Sequence, residues 1–203
     1  MLKIYLMRHG ETEWNRKKKI QGQADIPLNE SGESAARGAA RGMRGIPFDL
    51  VYTSPLERAR KTAQIVVAGR EIPIVEDDRL MEISYGKGEG QSLYLIQMLP
   101  FLRLHRYFAN PCVYVPPRGG ETYEQLRERC RDFLEKEICP LEGMLDHVLV
   151  TAHGALIREM ICIINNIPRE EFWKGIPQRN CAVTTLCCKQ GKFNVMEEGK
   201  IYC

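Results

Sequence analysis

Three short apolar segments, each followed by polar turn residues and then by a helical pattern, constrain the fold of this chain most strongly. They lie at 3–8, 50–54 and 147–152. Short apolar runs bounded by turn signals are typical of buried strands, and strands that alternate with helices are typical of a parallel sheet. The sequence therefore predicts an α/β fold with a largely parallel central sheet.

Capping signals and apolar spacing predict four helices. These are 30–43 after the N-cap residue Asn29, 56–68 after Pro55, 121–138 with Thr122 as the cap, and 155–165. Residues 181–188 and 193–197 flank a turn and predict an antiparallel hairpin at one sheet edge. Together the elements predict a three-layer α/β/α sandwich with a mixed, mostly parallel sheet.

Residues 91–118 fit neither pattern and predict an insertion. Aromatic side chains such as Tyr94, Phe101 and Phe108 stand there beside basic ones. A segment placed over strand ends can cover a site and select its substrate, so we expect a lid-like insertion. The chain contains no internal repeat and no linker, so we expect residues 1–203 to form a single domain.

Charge and hydropathy argue against several classes of protein. The chain has 29 basic and 26 acidic residues, a net charge of +3 that is too small to indicate nucleic-acid or membrane binding. No apolar stretch approaches the roughly 20 residues that a membrane span needs, and Lys3 comes too early for a signal peptide. We expect a cytoplasmic protein, a monomer or a homodimer, that binds neither nucleic acid nor membrane.

The eight cysteines lie at irregular spacings and include no Cys-x-x-Cys pair. A chain of this length does not need disulfides to fold, and a structural zinc site needs ligand spacings that are absent here. We therefore expect reduced thiols and no bound metal.

Charged residues that can bind an anion follow all three predicted strands. Arg8 and His9 end the first strand, Arg58 follows the second, and His153 follows the third. Because the carboxyl ends of parallel strands meet at one edge of a sheet, we expect these side chains to converge. A neutral histidine can attack phosphorus, and arginine offers paired donors that stay charged. The pattern predicts a phosphate site with a histidine nucleophile.

A glycine follows each of the two histidines. Gly10 and Gly154 have no Cβ, which allows the backbone to approach a ligand closely. We expect the backbone amides at these positions to be free to donate to an anion.

Six segments between Leu6 and about Ala155 resemble the histidine phosphatase superfamily (branch 1), which includes cofactor-dependent phosphoglycerate mutase. They are Leu6-Met7-Arg8-His9-Gly10-Glu11-Thr12 with Asn15, 22–32 (GQADIPLNESG), 53–63 (TSPLERARKTA), Leu80-Met81-Glu82-Ile83 with Gly86 and Glu89-Gly90, Gly119-Gly120-Glu121-Thr122, and Thr151-Ala152-His153-Gly154. An isolated Arg-His-Gly is a weak signal, whereas six segments in the order of the family are very specific.

The resemblance implies a role for each matching residue. His9 is the expected phosphorylated nucleophile, Glu82 the expected proton donor to the leaving oxygen, and His153 a further catalytic residue within the phosphate pocket. A carboxyl group beside a bound phosphate dianion holds its proton more tightly, as a general acid must. The expected phosphate-binding residues are Arg8, Arg58, Asn15 and Gly154, and the expected substrate contacts are Gln21 and Gly22. The family chemistry needs no cofactor and no metal.

The departures from the family pattern bear on the substrate. Related mutases are longer and carry paired arginines with a proline-rich loop in the insertion, whereas this chain has only Pro116-Pro117-Arg118. We therefore expect hydrolysis of a phosphomonoester on a small phosphorylated metabolite, through a phosphohistidine. Phosphoglycerate mutase activity and a non-catalytic phospho-ligand sensor are the alternatives.

Three further features enter the sequence prediction. Many relatives have a tryptophan immediately before the Glu-Gly that follows the acid, where this chain has Gly88. The basic stretch 16–19 is predicted to be a solvated loop. His105 and His147 match no family position and are predicted to lie outside the site.

Overall fold

The computed structural model describes all 203 residues, and its six strands form one mixed sheet. The strands are β1 (Leu2–Arg8), β2 (Leu50–Thr53), β3 (Ile74–Glu76), β4 (His147–Ala152), β5 (Ala182–Lys189) and β6 (Lys192–Ile201). Their order across the sheet is β3-β2-β4-β1-β5-β6. The first four run parallel, whereas β5 is antiparallel to β1 and to β6. The predicted mixed, mostly parallel sheet is confirmed.

The α-helices include the four that the sequence predicts. The helices are α1 (Glu13–Arg16), α2 (Glu30–Gly42), α3 (Glu57–Val66), α4 (Leu93–Met98), α5 (Arg103–Ala109), α6 (Tyr123–Phe133) and α7 (Gly154–Ile164). The predicted caps of α2 and α6 are present: Asn29 accepts from the Gly32 amide, and Thr122 forms a capping box with Gln125. A π-helical turn at Leu134–Ile138 continues α6 to its predicted end.

The sheet carries helices on both faces, and the side chains along β1, β2 and β4 alternate between two apolar clusters, one on each face. On β1, Leu2, Ile4 and Leu6 pack in the cluster that contains α6 and α7, whereas Tyr5 and Met7 pack with α2 and α3. The predicted three-layer arrangement is therefore confirmed.

The antiparallel hairpin also matches its prediction. β5 and β6 are joined by Gln190 and Gly191, whose φ angles are 53° and 68°. Two consecutive positive φ angles are characteristic of the tight type I′ turn, which matches the twist of a hairpin.

Two parts of the chain differ from expectation. The short strand β3 was not predicted; it follows Pro73, its residues are exposed, and it pairs only with β2, so it lacks the apolar pattern of a buried strand. The insertion 91–118 contains the helices α4 and α5 and a 3₁₀ turn at Pro111–Val113.

None of the helices combines the length and apolar composition that crossing a membrane requires.

Candidate active site

A cleft of about 490 Å³ opens where β1, β2 and β4 end. Arg8 and His9 reach it from the end of β1, Arg58 from the start of α3, and Gly154 from the start of α7. These strands are neighbours in the sheet, so the polar residues that follow them converge, as parallel topology requires.

The sequence-predicted site residues are found at this cleft. Eight of them line it, namely Arg8, His9, Asn15, Gln21, Gly22, Arg58, Glu82 and Gly154. His153 is fully buried and lies behind His9, with the two ring centroids 5.2 Å apart.

The His9 ring is held in one tautomer. Its Nδ1 lies 2.6 Å from the Gly10 carbonyl oxygen. Because a carbonyl can only accept, we assign the proton to Nδ1, which leaves the lone pair on Nε2. The backbone of His9 is tied to both sides, by its own amide to the Ala152 carbonyl at 3.0 Å and by the Asn180 side-chain amide to its carbonyl at 2.9 Å.

The surroundings of His9 keep its ring neutral. Burial lowers the pKa of His9 well below its ordinary value, and the Arg58 and Arg8 guanidinium groups lower it further, against the hydrogen bond to Gly10. A neutral imidazole with a free Nε2 is the nucleophilic form at physiological pH.

His153 provides a second neutral ring beside the first. Its Nε2 lies 2.8 Å from the Ser54 hydroxyl, while its Nδ1 is buried with no hydrogen-bond partner. Burial, followed by the charge of Arg58, lowers the pKa of His153 well below its ordinary value. A buried polar atom without a partner is costly unless a ligand meets it.

Arg58, which is fully buried, and Arg8, which is partly buried, both line the cleft and keep donors that no protein atom uses. Arg8 Nη1 donates to the Gln178 carbonyl at 2.7 Å, and Arg58 donates to the carbonyls of Ala24 at 2.7 Å and Gly22 at 2.6 Å. The Nε atoms of Arg8 and Arg58 are buried and have no partner. Burial lowers the pKa of Arg58 to about 10, so the group stays charged at neutral pH. The arrangement leaves two guanidinium groups with donors for an anion.

The Glu82 carboxylate sits on the first turn of α7. Its Oε2 accepts from the Ala155 amide at 3.2 Å, and its Oε1 accepts from the Leu156 amide at 3.1 Å. The first amides of a helix have no partner within the helix, so a carboxylate is a natural acceptor for them. This contact holds Glu82 at the edge of the cleft beside Gly154.

Arg129 fixes the loop that presents Glu82. Its Nη1 donates to the carbonyls of Arg79 and Met81, each at 2.6 Å, and Glu121 accepts from its Nε at 2.6 Å. The position of Glu82 is therefore fixed twice: the amides of α7 hold its carboxylate, and Arg129 holds the backbone that precedes it.

Asn15 and Gln21 turn their oxygens away from the cleft. Thr12 donates its hydroxyl to Gln21 Oε1 at 2.9 Å and lies 3.2 Å from Asn15 Oδ1. With their oxygens used in this way, the side-chain amide nitrogens of Asn15 and Gln21 are the polar atoms available to a ligand.

The predicted role of Gly10 is wrong in one respect. Its amide donates to the Thr62 hydroxyl at 3.0 Å and is not free for an anion. The absence of a side chain matters for packing instead, because a Cβ there would lie 2.6 Å from the Gly32 carbonyl oxygen. The glycine thus lets the loop at His9 and Gly10 lie directly against α2.

Two segments form the walls of the cleft beyond His9, Arg8 and Arg58. From the insertion, Leu93 and Phe108 line one wall. The other wall is formed by residues 171–178, here named the wall segment, of which 172–178 line the cleft and which the sequence did not predict. Residues 16–19 are exposed, as predicted for a solvated stretch, and Lys18 and Lys19 also line the cleft.

An aromatic cluster joins the two walls from behind. Tyr107, fully buried, packs at 5.0 Å from Tyr123 and 5.2 Å from Trp173 between ring centroids. The Trp173 indole nitrogen donates to the Tyr107 carbonyl at 2.8 Å. The insertion is therefore anchored in the core and is not a free flap.

The comparison with known proteins agrees with this geometry. The sequence profile of the histidine phosphatase superfamily (branch 1) matches residues 4–199. The chain belongs to this superfamily. An uncharacterized phosphatase, PhoE, of Bacillus subtilis strain 168 is 38% identical over 167 residues, covering 81% of this chain and 78% of the relative.

Other relatives are named for different activities. A 2,3-bisphosphoglycerate-dependent phosphoglycerate mutase of Parvibaculum lavamentivorans is 32% identical over 179 residues, covering 83% of this chain and 82% of the relative. The solved structure of YhfR from Bacillus stearothermophilus superposes with a TM-score of 0.92 at 31% identity, covering 99% of this chain and 98% of that one. The family therefore includes both phosphatases and mutases.

Some residues of the candidate site were not identified by the sequence prediction. Ser54 and Thr62 stand inside segments that carry the resemblance, so a signal for them was present. Asn180 and the wall segment had none, because Arg8 and Gln178 are 170 positions apart and no local pattern shows which carbonyl faces the guanidinium.

Gly88 stands where many relatives have a tryptophan, and the space beside it is occupied by residues of the insertion. A Cβ on Gly88 would lie 2.5 Å from Leu104 Cδ1 and 3.3 Å from Pro117 Cγ, and Leu104 is 1% exposed. We expect Gly88→Ala to lower the free energy of unfolding by about 1–3 kcal/mol, since Leu104 has no free volume into which to move. Urea denaturation measures the change.

A double-mutant cycle isolates that contact. In a Leu104→Ala background, Gly88→Ala should cost much less, because the methyl groups it would strike are gone. Equal costs in the two backgrounds would show that the insertion does not depend on this packing.

The two buried histidines predict a pH dependence of stability. The unfolded chain takes up protons on these rings below about pH 6.5, whereas the native rings, with pKa values well below that, do not. Their contribution is complete above about pH 6.5 and is lost as the pH falls, at up to about 1.4 kcal/mol per pH unit for each ring. Urea denaturation between pH 7.5 and 5.5 in phosphate-free buffer should show this slope, and His153→Asn should reduce it by about half. A slope unchanged by His153→Asn would contradict it.

Proposed function

We propose that this chain is a phosphomonoester hydrolase that transfers the phosphoryl group of a small phosphorylated metabolite to His9 and then to water. One observation carries the proposal. The neutral His9 ring, with Nδ1 engaged by Gly10, lies beside the guanidinium groups of Arg8 and Arg58, whose buried Nε donors have no partner. A nucleophile and charge neutralisation at one place are what phosphoryl transfer demands.

In the first step, the His9 Nε2 lone pair attacks phosphorus and the ester P–O bond breaks. Arg8 and Arg58 neutralise the charge on the phosphoryl oxygens, with Asn15, His153 and the start of α7 at Gly154 as further donors. Glu82 gives its proton to the leaving oxygen. The products are the free alcohol, a phosphohistidine and the Glu82 carboxylate.

In the second step, water attacks the phosphorus of phospho-His9. The Glu82 carboxylate accepts a proton from this water while the N–P bond breaks. The ring of His9 returns to its neutral form and inorganic phosphate is released. Both steps use groups of this chain alone, and neither calls for a metal or an organic cofactor.

The composition of the insertion supports hydrolysis over mutase activity. Its contribution to the cleft lining consists of Leu93 and Phe108, and Arg118 is not among the lining residues. A mutase must hold a bisphosphorylated intermediate while it turns over, and this insertion supplies no cationic side chain for the second phosphate, so that contact would fall to Lys18, Lys19 or Lys174. Gln21 and Gly22 remain as the proposed contacts to the alcohol portion of the substrate.

Hydrolysis of p-nitrophenyl phosphate in the presence of EDTA tests the reaction class. We expect turnover to persist, and a phosphoryl group that is stable to alkali and labile to acid to be found on the peptide that contains His9. Turnover that requires a divalent cation, or a label on another residue, would contradict the proposed mechanism.

The mutase and sensor alternatives need one further assay. With 3-phosphoglycerate and 2,3-bisphosphoglycerate present, a mutase isomerises the monophosphate faster than it releases phosphate, whereas a hydrolase does the reverse. A sensor binds phosphate without turnover of any phosphorylated compound.

A further inference from the structure

Arg158 is a nearly buried arginine on α7 whose donors are directed at one segment of the chain. It is 6% exposed and borders the cleft. Its Nε donates to the Phe172 carbonyl at 2.5 Å, and its Nη2 donates to the Glu171 carbonyl at 3.1 Å and to the Lys174 carbonyl. One guanidinium therefore binds three backbone carbonyls of the wall segment.

The backbone of the wall segment is shaped around this side chain. Gly175 has a φ of 110°, a conformation that glycine adopts without strain. A Cβ at Gly175 would lie 3.0 Å from Arg158 Nη1. The segment can therefore close around a planar fork of donors, which arginine has and lysine lacks.

The far end of the wall segment reaches the phosphate pocket. The Gln178 carbonyl accepts from Arg8 Nη1 at 2.7 Å. The Gln178 side-chain amide donates to Glu198 at 3.2 Å, and the same Glu198 oxygen lies 3.8 Å from Arg158 Nη1. Arg158 is thus linked to the Arg8 partner through the backbone and through a carboxylate.

We propose that Arg158 is a positioning residue that sets the phosphate-binding orientation of Arg8 by holding the wall segment in place. The inference rests on the proposed function for the identity of the anion, and it adds a residue that acts only through others. Without Arg158, three backbone carbonyls lose their donor, and the buried one, that of Phe172, can be paired again only if the segment moves toward water. Gln178 then ceases to hold Arg8.

The substitution Arg158→Met removes the donors and keeps the apolar stem. We expect the inhibition constant of inorganic phosphate to rise by about 10-fold or more, the effect of weakening one hydrogen bond to a charged group. Both KM and kcat for p-nitrophenyl phosphate should be impaired, because Arg8 meets the phosphoryl group in the ground state and in the transition state. Arg158→Lys should be intermediate, since an ammonium group cannot reach all three carbonyls.

A matched control separates positioning from a general loss of stability. Arg70 donates its guanidinium to the carbonyls of Ile46 at 2.8 Å and Met43 at 3.1 Å, away from the cleft. Arg70→Met should lower the free energy of unfolding without changing the phosphate inhibition constant. All assays are run well below the unfolding transition of each variant.

A second readout does not depend on activity. The chain has two tryptophans, so in a Trp14→Phe background the fluorescence reports on Trp173 in the wall segment. Arg158→Met should increase quenching of Trp173 by acrylamide, whereas Arg70→Met should not. Unchanged quenching together with an unchanged phosphate inhibition constant would overturn the positioning role. A wild-type protein that forms no phosphohistidine would overturn the proposed function instead, and Trp173 quenching would still decide on Arg158.

Discussion

Replacing His9 with alanine is expected to lower kcat/KM for phosphomonoesters by about 10⁴- to 10⁶-fold, the range seen when a covalent nucleophile is deleted. His9 is the one histidine that lines the cleft, and its neutral ring has a free lone pair beside the guanidinium groups of Arg8 and Arg58. The variant should also fail to retain a phosphoryl group when it is mixed with substrate and quenched in alkali.

The matched control for His9 is His147, at the opposite end of the sheet. His147 is the first residue of β4, and its Nδ1 lies 3.2 Å from the Tyr5 hydroxyl. His147→Ala should retain kcat/KM near that of wild type. A His9→Ala variant that keeps more than about a hundredth of the wild-type rate would exclude His9 as the nucleophile.

Replacing Glu82 with glutamine is expected to have the second largest effect, and its size should depend on the leaving group. For an ester of an aliphatic alcohol, loss of the proton donor should lower kcat/KM by about 10²- to 10⁴-fold. For p-nitrophenyl phosphate the first step should be much less affected, because p-nitrophenolate leaves without a proton. Glutamine keeps an oxygen for the α7 amides, so the fold is preserved.

The second step should then become limiting in Glu82→Gln. Water attack on phospho-His9 lacks its base, so p-nitrophenolate should appear in a burst followed by slow turnover. Glu89 offers the matched control, because its carboxylate accepts from the amides of Gln23 and Tyr85 and it does not line the cleft. If Glu89→Gln showed the leaving-group dependence and Glu82→Gln did not, the assignment of the acid would be wrong.

The strand ends could be predicted from sequence because their signals are local. His9 and His153 each follow a short apolar run, and parallel topology brings such ends together without any knowledge of side-chain contacts. The capping residues Asn29 and Thr122 could be predicted for the same reason, since each accepts its hydrogen bond from an amide three residues further along the chain.

The walls of the cleft could not be predicted, because their structure depends on contacts between distant parts of the chain. Arg158 lies within an apolar helical pattern and gave no sign that it binds carbonyls of residues 171–174. Gly10 looked like a ligand-binding glycine, and only the position of Gly32 shows that its missing Cβ serves packing. Such contacts form only in the folded protein and produce no periodic pattern in the sequence.

The pairing of β1 with β4 has a consequence for redesign. Arg8 is in register with Ala152, so the two histidines that follow these residues are held apart by one strand spacing, which is about 4.8 Å. The ladder of backbone hydrogen bonds sets the distance between the two histidines, and the contacts of Gly10, Asn180 and Ser54 fix the backbone and the rings at that distance. Lining side chains such as Leu93, Phe108 and Ile176 can therefore be exchanged to accept a different alcohol while the distance between the imidazoles is inherited unchanged from the sheet.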